Sequence, residues 1–166
     1  MKKHLFLIVV SVLLVCLAYT LAAPSAHVMV KPDQLKWAPG GPDMPPGAQV
    51  AVLSGDPSKA GMYTMRIKAP DGYKVAPHWH PADEHLTVIQ GKFGVSTGDK
   101  FEAKGEELGS GSYVLMPARA HHFAWTKGET IVQVSGMGPF KIIYVNPADN
   151  PNKAAKPTKP KTKTAG

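Results

Sequence analysis

The stretch Gly72–Gly91, GYKVAPHWHPADEHLTVIQG, sets three histidines and a glutamate within eight residues, in a run with a strand's apolar alternation. On an extended chain, residues two apart share a face. His78 and His80 therefore point the same way, with Trp79 opposed. An extended path through Pro81-Ala82-Asp83 brings Glu84 to that face too, followed by Leu86 and Val88. His85 has the opposite parity and faces outward. Two imidazoles and a carboxylate on an apolar interior are costly to bury unpaired. A divalent cation removes that cost by taking all three as ligands. The competing reading is a site that keeps these residues and works without metal.

Outward from this stretch, short apolar runs alternate with turn signals. QVAVL ends at Ser54-Gly55-Asp56-Pro57, and MYTMRIKA ends at Pro70-Asp71-Gly72. EHLTVIQ and KFGVST meet at Gly91, and SYVLMP, HHFAW, ETIVQVSG and FKIIYV follow, with Lys127-Gly128 parting HHFAW from ETIVQVSG. Short strands with regular punctuation and no sustained helical period predict an all-β sandwich or barrel.

The spacing within the opening stretch is specific. Gly72, His78-x-His80, Glu84 and Gly91 resemble, without a gap, the first motif of the cupin superfamily. Gly111, Pro117 and His122 resemble its second motif, but Arg119 stands where glycine is usual and Thr126 where asparagine is frequent. Arginine at that place questions the turn, because glycine tolerates positive φ cheaply and arginine does not. The resemblance implies a cupin-type jelly roll, a conical antiparallel β-barrel over 49–147. It implies a divalent metal held by His78, His80, Glu84 and His122. His121 is the alternative fourth ligand, since Phe123 and Trp125 share its face and are more apolar than Ala124 and Thr126 beside His122. If His122 faces inward, the aromatic face is to be covered by the N-terminal arm or a partner subunit. Trp79, Phe93, Phe123 and Trp125 either shape a pocket mouth or simply pack.

The ends read differently from the middle. Lys2-Lys3, the apolar run Leu5–Leu17 and the small residues Ala22, Ala23, Ser25 and Ala26 have the layout of a secretory signal over 1–25. An uncleaved membrane anchor is the alternative, because Leu5–Ala23 approaches the ~20 residues of a spanning helix. Cys16 is the single cysteine; bulky Val15 before it disfavours lipid attachment, and cleavage would leave a chain without thiolate or disulfide. A metal site then rests on nitrogen and oxygen alone. Residues 26–48 form a Pro/Gly-rich arm whose Met29, Trp37 and Met44 have no evident place in a small barrel. The arm is therefore expected to cover the barrel or a homodimer interface.

The formal charge of +7 is a property of the ends. Residues 24–150 hold 12 basic and 12 acidic residues, whereas 151–166 hold five lysines and no acid. Residues 148–166 read as a disordered, solubilising tail, with weak attraction to an anionic envelope as a second role. A neutral body argues against nucleic acid as a partner. Four protein ligands leave up to two positions on an octahedral cation, with Fe, Mn, Ni, Zn and Cu all compatible. Open positions suit an oxygenase or related oxidoreductase acting on a small organic substrate. The alternative is a non-catalytic metal- or ligand-binding sensory module, like the cupin domain of some zinc anti-sigma factors.

Overall fold

In the computed structural model, residues 27–154 are described, so the signal segment and most of the lysine-rich tail lie outside the described residues. Nine strands form one curled antiparallel sheet: β1 (Ala38–Pro39), β2 (Gln49–Ser54), β3 (Gly61–Ala69), β4 (Lys74–Trp79), β5 (Glu84–Thr97), β6 (Glu106–Leu108), β7 (Tyr113–Met116), β8 (His122–Gly138) and β9 (Ile143–Tyr144). This is the expected jelly-roll barrel. The stretches read as separate at Gly91 and at Lys127-Gly128 are continuous. The β5–β8 ladder runs from Glu84↔Gly136 to Thr97↔His122, with register shifts flanking Gln90 that absorb the turn residues.

The long β8 organises the barrel. Its second half pairs with β3 from Gly61↔Gly138 to Ala69↔Thr130, and its first half pairs with β4 at His78↔His122. The edges of β5 and β4 that β8 leaves free take β6 and β7 on one side and β9 on the other. Alternation puts Tyr63 and Met65 of β3, Leu86 and Val88 of β5, and Val132 and Val134 of β8 into one core cluster. At ~1.5–3 kcal/mol per buried large apolar side chain, this cluster contributes burial that does not depend on a ligand. Leu86 and Val132 of this cluster also face the histidines of β4 and β8 across one cavity.

The arm finds its place on this same chain. Lys68 lies over the Trp37 ring at 4.8 Å, and Met44 packs with Ala48, Ala69 and Tyr73, whereas Met29 remains exposed. At the other end, ordered structure continues into the stretch read as tail. Pro147–Asp149 form a 3-10 turn capped by the Asn146 side chain, and Pro151–Ala154 form a helical turn. Among the described residues no helix is long and apolar enough to cross a membrane.

Candidate metal centre

His78, on β4, sits directly across from His122, on β8, with their ring centroids 4.2 Å apart. His80 follows the end of β4, and Glu84 opens β5. The path between them corrects one expectation. Residues 80–83 bend rather than run extended, so Glu84 reaches the site from a strand that does not pair with β4. The shared face comes from closure of the barrel and not from parity along one strand. His85 points outward as expected, with Nδ1 2.7 Å from the Tyr113 hydroxyl.

A second turn holds this bend in place. Ala118 N–H donates to the Asp83 carboxylate at 2.7 Å, and Arg119 N–H donates to the His80 carbonyl at 2.9 Å. Ala120 N–H closes the turn onto Pro117 O at 3.0 Å. Arg119 has φ 65, the only non-glycine residue with positive φ among those described. The turn that glycine usually makes is thus kept, with arginine bearing the strain. Thr126 also substitutes usefully: its hydroxyl donates to Pro70 O at 2.6 Å and accepts from Tyr73 N–H at 3.0 Å, clipping the 70–73 turn to β8.

His122 points inward and His121 outward, where His121 Nδ1–H donates to the Asp99 carboxylate at 2.6 Å. Phe123 and Trp125 stack on the face opposite His122, 6.2 Å apart. Within the chain, a loop rather than the arm packs on them. Phe101, from the loop between β5 and β6, packs 5.1 Å from Phe123 and 6.2 Å from Trp125. Gly94 lets the Trp125 indole lie flat on β5, where any Cβ would collide with it.

Each inward histidine is oriented the same way. Nδ1–H donates to a backbone carbonyl: His78 to Ala76 at 2.8 Å, His80 to Lys141 at 2.7 Å, and His122 to Ala120 at 2.9 Å. A carbonyl only accepts, so the proton sits on Nδ1 and the Nε2 lone pair is free. The three histidines offer nitrogens within 4.8 Å of one another. Glu84 Oε2 lies 3.5 Å from His80 Nε2 and 3.6 Å from His122 Nε2, too far for a hydrogen bond. Such gaps approximate the edge between two ligand atoms sharing one cation at bonds of ~2.0–2.2 Å. The Nε2 atoms of His80 and His122 are buried with no hydrogen-bond partner, a cost of ~1–3 kcal/mol each. Burial, reinforced by His122 and His80, lowers the His78 pKa to about 3. Burial likewise holds His80 below the ordinary histidine value, against the pull of Glu84. For Glu84, burial pushes upward, but His122, His80 and His78 prevail and hold it below the usual carboxylate value. Neutral imidazoles beside an ionised carboxylate are the protonation states a divalent cation requires. The donor set fits a metal.

The centre opens on a cavity of about 70 Å³ with mostly apolar walls, among them Leu86, Phe93, Val114, Met116 and Val132. Phe140 stacks on His80 at 5.2 Å and lines the same cavity. Met44, Phe140 and Ile142 are wall residues as well. The run FKIIYV, read as a strand, is paired only at Ile143–Tyr144, so Phe140 and Ile142 reach the cavity from irregular chain ahead of β9.

A family model described as the ChrR cupin-like domain matches residues 25–141. The chain belongs to this cupin family. Solved structures agree in fold. A candidate acetylacetone dioxygenase from Methylibium petroleiphilum has a TM-score of 0.61 at 24% identity, covering 80% of the cupin described here and 90% of that chain. The polyketide cyclase RemF from Streptomyces resistomycificus has a TM-score of 0.59 at 17% identity, covering 77% and 92%. An acetylacetone dioxygenase from Acinetobacter johnsonii has 0.58 at 20% identity, covering 75% and 81%. Identities this low speak for a common fold alone. No curated protein matches the cupin.

Proposed function

We propose that this cupin is an exported metal-dependent oxygenase, or related oxidoreductase, acting on a small organic substrate. One observation carries the reading: three histidines turn free Nε2 atoms, beside an ionised Glu84, into a cavity of about 70 Å³ with mostly apolar walls. His78, His80, Glu84 and His122 are the proposed ligands. The bound cation, among Fe, Mn, Ni, Zn and Cu, supplies Lewis acidity and open coordination positions. The protein's part is to fix the imidazole tautomers through Ala76, Lys141 and Ala120, and to exclude bulk water with Leu86, Val132 and Phe140. Oxygen uptake by Fe(II)-, Mn(II)- and Ni(II)-loaded protein tests the reading, against dicarbonyl, phenolic and amino-acid substrates. The dicarbonyl set comes first, given the acetylacetone dioxygenases among the similar folds. Metal bound with no turnover of any substrate counts against catalysis.

The family match favours a second reading, a non-catalytic metal- or ligand-binding sensory cupin. Metal-dependent binding of a ligand or partner protein without turnover is its signature. Export through residues 1–25 is part of the proposal in either case, and N-terminal sequencing of protein from its native compartment tests it. A homodimer is also proposed, motivated by Met62, Tyr113, Leu115 and Met137, which stand exposed on the outer face of the sheet. A monomer in sedimentation, at all concentrations, removes it. The lysine-rich tail is proposed to solubilise the chain and to attract it weakly to an anionic envelope. Salt-insensitive recovery from envelope fractions argues against that attraction.

A further inference from the structure

Residues 41–47 cross the barrel outside the sheet, and Met44 lies at their middle. Gly40 N–H donates to Ala48 O at 2.9 Å and closes the base of this loop, while Met44 N–H donates to Gly41 O at 2.9 Å. The side chain of Met44 packs against Gly40, where a Cβ would stand 3.1 Å from its sulfur. Three hydrogen bonds tie the segment down on either side of Met44. The Tyr144 hydroxyl donates to Asp43 O at 2.8 Å, Asn150 Nδ2 donates to the Asp43 carboxylate at 3.1 Å, and the Tyr73 hydroxyl donates to Pro45 O at 2.8 Å.

What lies on the two sides of Met44 gives this arrangement a role. Inside is the cavity of about 70 Å³ at the three histidines; outside is a groove of about 540 Å³ between the arm, β2 and residues 140–142. Met44, Phe140 and Ile142 line both spaces. Phe140 and Ile142 flank Lys141, whose carbonyl holds the His80 ring, so they cannot move far without disturbing the centre. Met44 rides on a loop outside the sheet, fastened by three side-chain hydrogen bonds, so it can lift without breaking a strand ladder.

We propose that residues 41–47 are a strap over the metal cavity, with Met44 as its plug. Small ligands, and the cation itself, then pass between groove and centre when the strap lifts. Phe140 and Ile142 are the fixed jambs, and the methionine side chain sets the size of ligand the closed cavity accepts. The inference rests on reading the three-histidine cavity as the functional site.

Histidine accessibility tests it in metal-free, full-length protein. Diethylpyrocarbonate modifies neutral imidazoles, and mass spectrometry follows each histidine separately. In the wild type, His85 and His121 should react quickly, and His78, His80 and His122 slowly, at a rate limited by opening. Tyr73→Phe and Tyr144→Phe keep the rings and remove one strap hydrogen bond each. Each should speed the buried histidines about fivefold, the ratio corresponding to ~1 kcal/mol for a neutral hydrogen bond, with His85 and His121 unchanged. Met44→Ala should speed them at least as much, with a cooperative melt checking that it folds. Buried-histidine rates equal to wild type in all three variants, or a rise shared by His85 and His121, would overturn the strap. Metal content of the wild type, measured in parallel, separates the two ideas. A chain that binds no divalent cation sinks the metal reading while the modification rates still judge the strap.

Discussion

Arg119→Gly should stabilise this protein, against the usual direction of a glycine substitution. Arg119 holds φ 65 in the turn that donates its N–H to the His80 carbonyl. A side chain in the left-handed region costs ~1–2 kcal/mol through its Cβ. Glycine removes that strain but gives the unfolded chain more freedom, an opposing ~0.5–1 kcal/mol. The arginine side chain is exposed and, among the described residues, makes no ion pair or hydrogen bond, so nothing else is lost. The balance is a gain of ~0.5–1 kcal/mol, or about 2–4 °C in melting temperature for a domain of this size. Urea titration is the assay, with the midpoint moving up and the slope constant. Arg119→Ala is the informative companion, because it keeps Cβ and therefore the strain, and it should stay within ~0.5 kcal/mol of wild type. If the alanine and glycine variants shift equally, or glycine destabilises, positive φ is not what the arginine bears. The benefit should extend to the centre, since the same turn anchors the residue that carries the His80 ring.

Three further outcomes follow from the geometry. Alanine at His78, His80, Glu84 or His122 should abolish stoichiometric divalent metal, whereas His85→Ala and His121→Ala should retain it. A site emptied by His85→Ala but not by Glu84→Ala would break the assignment, with metal content read by elemental analysis. Gly94→Ala should destabilise by at least ~1–3 kcal/mol through overpacking against Trp125, and a denaturant midpoint at the wild-type value would refute that stacking. Acid should act in one direction. His78 moves from 6.5 when unfolded to about 3 when folded, so between those values the unfolded chain binds more protons and stability falls as pH falls. Glu84, held below its ordinary value of 4.5, contributes stability above that value and loses it as pH drops further. Protons also compete with the cation for both groups, so metal-loaded protein should melt well above metal-free protein at pH ~7.5. That gap should close through about pH 6 to 4. Equal melting temperatures at neutral pH, with metal shown to be bound, would mean the cation does not tie the strands together.

The sequence by itself determined the all-β character, the shared face of His78 and His80 and the sign of the charge distribution, because each is encoded in local spacing. The choice of His122 over His121 came from the family motif. A period of two separates His78 from Trp79 and His122 from His121 whatever surrounds them, and a histidine pair with a nearby carboxylate restricts the chemistry. Local spacing misjudged how Glu84 arrives, since parity assumes an extended chain and residues 80–83 bend. It also left open what covers Phe123 and Trp125, which proved to be Phe101 from a neighbouring loop. Only the tertiary structure decided which side chains share a wall. Met44, Phe140 and Lys141 come to His80 from positions 36 or more residues away, and no period along the chain records that. Barrel closure also decided the protonation states. The depressed histidines and the ionised Glu84 arise from burial and mutual proximity, which exist only once β4, β5 and β8 are brought around one cavity.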